Sequence, residues 1–424
     1  MLRWARLLMP LVVVGAACAS VVPAAAATDI SPPTISASGG IGPYTAGTPA
    51  TFTFTETGVG TPVAYEYTVN GGAMQTVQAP SGTASAEIVP ARQHNRLFAY
   101  AVAADGTVSG GAVYDFYAVA ATPAADKDLN GDGLPDLLTV GNTAGLAPGL
   151  WLATGQPAAG GSAGLVTVPA TDIGINGVLS SPGSPADFNG AQAITGRFFG
   201  YGFQDVLLYY PSGNDAGGGA IVAGQGDGSA LWPFSGSECN ISSGILTDFN
   251  GDNPLQLANA YASIYGTGLP DLIATSGDPA NGYYLDYYYT GAPCLYNQAF
   301  AVSTPTPDGT ADWNKWTLAT LPGHDGAGMF LWNESTGTLY LWTGVKATDN
   351  GDGTGHLSYT QYLISPHWHR GVSLTTLEAA YLNGDGVPDL WTVDTAGTAR
   401  AYLISGLSAT GPAEIEPQEP QPLS

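Results

Sequence analysis

Basic residues are scarce in this chain: 10 lysines and arginines stand against 34 aspartates and glutamates, a formal net charge of −24. So acidic a surface repels nucleic acid and anionic lipid and favours cations, which argues against a nucleic-acid partner. Lysine occurs only as Lys127, Lys315 and Lys346, and histidine five times. Few groups are thus left for acid–base chemistry, and neither a His-Glu-x-x-His pattern nor a phosphate loop is present. After the first 27 residues no apolar run is long enough to cross a bilayer. Cysteine appears three times, as Cys18, Cys239 and Cys294.

Turn formers and aromatics, by contrast, are abundant. With 59 glycines, 31 prolines and 10% aromatic residues, the composition is that of an all-β protein. Residues 1–27 carry Arg3 and Arg6, an apolar segment from Leu7 to Ala19, and small residues ending Ala25-Ala26-Ala27. That order reads as a secretory signal peptide, so the expected location is secreted, extracellular or cell-surface associated. A lipid anchor on Cys18 is the alternative, but Gly15 stands where such an anchor expects leucine.

The chain is organised around Asp128-Leu129-Asn130-Gly131-Asp132-Gly133-Leu134-Pro135-Asp136. Side-chain oxygens of Asp128, Asn130, Asp132 and Asp136 at alternating positions, with the Leu134 carbonyl, have the spacing of an oxygen cage for Ca²⁺. An EF-hand would close on a glutamate at position twelve, whereas Thr139 lies there inside a strand-like run, so the loop feeds a sheet. Aligning on its last aspartate gives Asp136, Asp205, Asp271, Met329 and Asp389, with spacings of 69, 66, 58 and 60 residues. Each anchor precedes an apolar strand and then a second one, from Leu137–Val140 with Leu150–Leu152 to Leu390–Val393 with Ala401–Ile404. Spacing of this size signals repeated sheet units.

This Asp-x-Asn-Gly-Asp-Gly-x-x-Asp-Leu loop followed by a glycine-punctuated hairpin resembles the FG-GAP/VCBS repeat family over roughly residues 126–406. The resemblance implies a secreted β-propeller with Ca²⁺ loops, commonly a recognition module. Carried over residue by residue, the last copy keeps Asn383, Asp385, Asp389 and the Val387 carbonyl but has Tyr381 at position one. The three middle copies hold Arg197, Phe199 and Tyr201, then Ser263, Tyr265 and Thr267, then Gly323 and Asp325 before Met329, and are read as turns without metal. Asp187–Gly190 and Asp248–Asp252 are likewise read as turns. Five blades are expected over 126–410, with six or seven the alternative, and Val113–Val119 is a candidate for the missing outer strand.

Residues 28–121 lack the repeat and carry alternating strands such as Thr51–Thr55 and Tyr65–Val69, the pattern of a small immunoglobulin- or fibronectin-like β-sandwich. Residues 411–424, rich in proline, glutamate and glutamine, read as a disordered tail. Cys239 and Cys294 are expected to form a disulfide, with two buried thiols the alternative. The expected function is a monomeric, non-catalytic recognition or adhesion module for polysaccharide or a surface protein. Its candidate ligand residues are Trp313, Trp316, His367, Trp368 and His369, because a flat ring can stack on a sugar face. A polysaccharide lyase or hydrolase is the alternative.

Overall fold

The computed structural model describes residues 30–158, 163–178, 182–233 and 237–424, and the expected signal peptide lies outside them. The described chain is all-β, with two short 3-10 turns as its helical pieces, and no described helix is long and apolar enough to cross a membrane.

Residues 33–119 form β1 (Pro33–Ala37), β2 (Tyr44–Thr45), β3 (Ala50–Glu56), β4 (Ala64–Val69), β5 (Gln75–Gln78), β6 (Thr83–Ile88), β7 (His94–Val102) and β8 (Ala112–Val119). The strand orders are β1-β3-β6 and β2-β8-β7-β4-β5, and the two sheets share one core. The alternating sequence explains the packing. In β3, Phe52 and Phe54 are wholly buried, against Phe116 and Tyr65 of the other sheet, while the intervening threonines turn outward. Val113–Val119 belongs to β8 of this unit, so it closes nothing in the repeat region.

The remaining strands are β9 (Leu137–Val140), β10 (Leu150–Ala153), β11 (Thr171–Asp172), β12 (Gln192–Gly196), β13 (Asp205–Tyr209), β14 (Gly219–Val222) and β15 (Glu238–Ile241). They continue as β16 (Gln256–Asn259), β17 (Leu272–Asp278), β18 (Gly282–Tyr289), β19 (Gln298–Val302), β20 (Trp316–Leu321), β21 (Ala327–Asn333), β22 (Thr338–Asp349) and β23 (Thr354–Ser365). The last are β24 (Leu374–Ala380), β25 (Asp389–Asp394), β26 (Thr398–Ser405), β27 (Glu414–Pro417) and β28 (Gln421–Pro422). All five hairpins anticipated after the anchors are antiparallel pairs: β9 with β10, β13 with β14, β17 with β18, β21 with β22 and β25 with β26.

These strands form sheets ordered β11-β10-β9, β12-β13-β14-β15 and β24-β25-β26-β27, plus an eight-stranded sheet, β16-β17-β18-β19-β23-β22-β21-β20. The eight-stranded sheet is joined in its middle by only two residue pairs, between β19 and β23, and its end strands β16 and β20 touch, so it nearly closes on itself. Strand contacts also run from β9 to β12, β12 to β16, β20 to β24 and β24 back to β9. Five strands therefore face one another around a common centre.

Neighbouring central strands belong to different ladders, and side chains clasp them together. Gln256 donates to the Leu318 carbonyl (2.9 Å) and accepts from the Leu318 N–H (3.0 Å). Gln192 accepts from Leu257 N–H (2.9 Å), and Asn259 donates to the Thr195 carbonyl (3.0 Å). Thr139 and Thr376 hydroxyls meet at 2.7 Å. Gln256→Ala should cost about 1–3 kcal/mol, because it strips two bonds and leaves backbone groups of β20 unpaired; urea unfolding measures this.

The β9 sheet lacks the strand that the others place at the centre. Counting back from the shared Asn-Gly-Asp-Gly, residues 121–127 stand where β24 stands in the last set, yet they contain Pro123 and form no strand. Proline has no N–H to give a ladder. Ala120 and Ala124 donate instead to the carbonyls of Tyr201 (2.8 Å) and Gly202 (2.7 Å).

The expectation of a disordered tail is corrected. β27 and β28 both pair with β26, and Leu423 is wholly buried with Leu137, Leu146, Ala170 and Trp391. The Ala170 N–H donates to the Leu423 carbonyl (2.8 Å), and the Gln421 carboxamide both accepts from Val166 N–H and donates to its carbonyl, each at 2.9 Å. Composition misled here because two apolar residues, Ile415 and Leu423, suffice when a free edge and an apolar hole await them. The tail stitches the last sheet to the first.

The sandwich is seated on the β12–β15 side. Arg92 pairs with Asp227 at 2.5 Å, His94 stacks on Trp232 with ring centroids 4.6 Å apart, and Ser237 donates to Gln93 (2.9 Å).

Candidate functional site

The first acidic loop is a tight turn wound on its own carboxylates. Asp128 is buried; its Oδ1 accepts from Gly131 (2.7 Å) and Asp132 (3.2 Å) N–H groups and its Oδ2 from Gly133 (3.0 Å). Asp132 Oδ1 accepts from Leu134 N–H (2.8 Å), and its Oδ2 from the Asn130 Nδ2 (2.9 Å). Gly131 and Gly133 sit at φ of 82° and 86°, where a Cβ is strained. The last loop repeats the form: Asn383 donates to Asp385 (3.0 Å), and Val387 N–H donates to Asp385 (2.7 Å). Its first position, Tyr381, turns away and donates to the Pro322 carbonyl (3.1 Å).

The recurring last aspartate has a structural duty in every copy that keeps it. One oxygen of Asp136 accepts from Leu129 N–H (2.9 Å) and the other from Gly155 N–H (2.9 Å). Asp205 holds Phe199 (2.9 Å) and Gly224 (3.2 Å), and Asp389 holds Leu382 (3.0 Å) and Ile404 (2.8 Å). Asp271 holds Ile264 N–H (2.8 Å) and the backbone of Thr290. Each carboxyl thus pins its own loop to the end of the second strand of its hairpin or to the residue or two just after it. Asp205 and Asp271 do so in copies whose other positions carry no carboxylate, so the clamp accounts for the aspartate at those anchors without a metal. Burial pushes the carboxyls of Asp136 and Asp205 up to about 7 and that of Asp389 to about 6, against the backbone donors that lower them.

The donor set of the first loop suits a hard cation, since it is all oxygen and each carboxylate oxygen has more than one lone pair. Asn130 Nδ2 supplies partial positive charge between the side chains, where an ion would supply more. Among the described residues no three His, Cys, Asp or Glu side chains are gathered as a metal cluster. The second and third copies carry other groups at these positions: Ser263 and Thr267 hydroxyls pair at 2.9 Å, and the Phe199 and Tyr201 rings stack.

The three tryptophans among the ligand candidates are corrected. Trp313, Trp316 and Trp368 are 1%, 4% and 7% exposed, so none offers a face to a sugar. Trp313 donates to the Thr304 carbonyl (3.1 Å) and meets Trp342 edge-on, and Trp368 packs on Trp332 and Tyr402. His367 is exposed, whereas His369 is half-buried and bonded to Tyr402 (2.5 Å). A further pattern explains these tryptophans. Asp187-Phe188-Asn189, Asp312-Trp313-Asn314 and His367-Trp368-His369 each precede a central strand, β12, β20 or β24, and bury the middle ring. The fourth such turn, Asp248-Phe249-Asn250 before β16, leaves Phe249 82% exposed.

The central strands enclose a pocket of about 430 Å³, lined by β9, β12, β16, β20 and β24. Lys127 crosses one end; its buried ammonium donates to Asp126 (3.1 Å), the Tyr261 hydroxyl (2.8 Å) and the Thr320 carbonyl (3.3 Å). Burial works against that charge, but Asp126, Tyr261 and Glu378 outweigh it and hold the lysine above its ordinary range. Glu378 of β24 accepts from the Leu138 N–H (3.3 Å), and burial pushes its carboxyl up to about 7 although Lys127 pulls it down. Neither residue was legible as a site residue. The one available signal was an acid, Glu378, inside an otherwise uncharged strand.

Cys239 of β15 and Cys294, between β18 and β19, form a disulfide with Cα atoms 6.2 Å apart, tying two neighbouring sheets. Compared with known families and with curated proteins, the chain matches no family model and no curated protein.

Proposed function

We propose that residues 126–424 form a five-bladed β-propeller of FG-GAP/VCBS type, carried by the immunoglobulin-like sandwich of residues 28–121. In this reading the protein is an exported recognition module, and the end of the ring that opens into the central pocket is its binding face. The cycle of five central strands around a polar pocket is the observation that carries it. The eight-stranded sheet is then two blades touching at their outer edges. The disulfide and the leader-like residues 1–27 support export.

Ca²⁺ belongs to the proposal. Asp128, Asn130, Asp132 and the Leu134 carbonyl would hold it in the first loop, and Asn383, Asp385 and the Val387 carbonyl would hold it more weakly in the last. The ion would neutralise the acidic turn and stiffen the passage into β9 and β25. Asp136 and Asp389 complete either set while keeping their clamps. Excess Ca²⁺ should raise the melting temperature over that in chelator by several degrees, about 1–3 kcal/mol, and Asp132→Ala should remove most of the gain. Equal melting in Ca²⁺ and chelator would overturn the metal assignment.

Because Trp313, Trp316 and Trp368 are buried, we place a protein partner ahead of a stacked sugar. A second reading, a polysaccharide lyase or hydrolase, draws on one observation: Glu378, with its raised carboxyl, lies beside Lys127 in the pocket. Incubation with uronate-containing and neutral polysaccharides separates the two, since turnover abolished by Glu378→Gln would establish the enzyme and binding without turnover the module.

A further inference from the structure

Every sheet around the pocket but one has at least four strands, if the eight-stranded sheet is counted as two halves, and the β9 sheet has three. The exception ends at β9, with its inner edge bare of any ladder. Residues of β9 alternate between the two edges: Gly141 N–H donates outward to Gly149 (2.9 Å), and Leu138 N–H turns inward to Glu378. Val140, two residues on, shares the inward direction. Leu138, Thr139 and Val140 all line the pocket, so the cavity occupies the place of the absent strand.

The charge in the pocket is lopsided. Lys127 is the one cation among the lining residues and is already paired with Asp126 at 3.1 Å. The lining carboxylates are two, Glu334 and Glu378, of which Glu378 feels the Lys127 charge without an ion pair to it. At the open end Leu255, Asn314 and Ser373 are exposed, which gives a chain a way in.

We propose that the pocket takes an extended peptide segment of a partner protein, which pairs antiparallel with β9 as the missing innermost strand and sets a lysine or arginine against Glu378. This rests on reading the sheets as a propeller-type recognition module and names its ligand class. Backbone pairing supplies affinity without regard to sequence, and the carboxylate supplies selection. The length of β9, four residues, sets the length of the paired stretch. A peptide carbonyl takes over the Leu138 N–H, and Glu378 is released to meet the incoming cation.

The test uses the full chain at pH 8 and three capped hexapeptides: alternating valine and threonine with a central lysine, the same with norleucine, and the lysine form with its backbone nitrogens methylated. Titration calorimetry gives affinity, and hydrogen exchange reports on Leu138 and Val140. The lysine peptide should bind and slow exchange at both amides, while norleucine and N-methylation should each weaken binding about tenfold or more. Glu378→Gln should weaken the lysine peptide about tenfold and leave the norleucine peptide unchanged, which separates the charge from any folding defect. No binding at millimolar peptide, or binding that leaves Leu138 and Val140 unprotected, overturns the proposal. Surface proteins captured by the intact protein and not displaced by these peptides would sink the pocket assignment while leaving the recognition reading in place.

Discussion

Leu423→Asp is expected to cost more than 4 kcal/mol. The side chain is wholly buried where the last sheet meets the first. Losing a buried leucine costs about 2–5 kcal/mol, and an uncompensated carboxylate in the same hole adds to that. Leu423→Met keeps volume and polarity and should cost under about 1.5 kcal/mol. Denaturant unfolding of the two variants reads the difference. A loose tail would tolerate both changes within about 0.5 kcal/mol, so near-wild-type stability of the aspartate variant would contradict the packing of this segment.

The second large effect is a rise in stability on acidification. In chelator, the melting temperature should climb as pH falls from 8 toward 5. Burial raises the carboxyls of Asp205, Asp286 and Glu378 to about 7, while in the unfolded chain they titrate near 4. Between those values the folded state binds more protons than the unfolded one, so stability is fully present below about pH 4 and is lost as pH rises through 7. The excess of acidic residues acts in the same direction. Together these groups should supply several kcal/mol between pH 8 and 5, on the order of 1 kcal/mol or more each. Asp205→Asn removes one titrating group and should flatten the profile, at the expense of one acceptor for Phe199 or Gly224. A melting temperature that falls steadily below pH 7 would contradict the burial of these carboxyls.

Local pattern made some of this architecture legible. Strands that follow an anchor are continuous apolar runs, and β9, β13 and β25 are buried as such runs predict. The central strands β12, β16 and β24 are not legible in the sequence because they are half-polar: Gln192, Gln256 and Glu378 point into a pocket or across to a neighbour, and their periodicity resembles a loop. The tryptophans misled for a related reason. Trp313 and Trp368 lie in polar turns, and only the three-dimensional arrangement shows that such turns wedge their rings between sheets. Long-range pairing was hidden altogether, since nothing near Gln421 announces Val166 as its partner, 255 residues away.

The joining of the last sheet to the first through the tail is the hinge of the whole account. It is tested most directly by hydrogen exchange on the intact chain and on a variant truncated after Pro412. The closed arrangement predicts faster exchange on truncation in β24–β26 and, equally, in β9–β11, more than 200 residues away in sequence, with β16–β18 unchanged. Faster exchange confined to β26, with β9–β11 as protected as before, would show that the tail closes nothing.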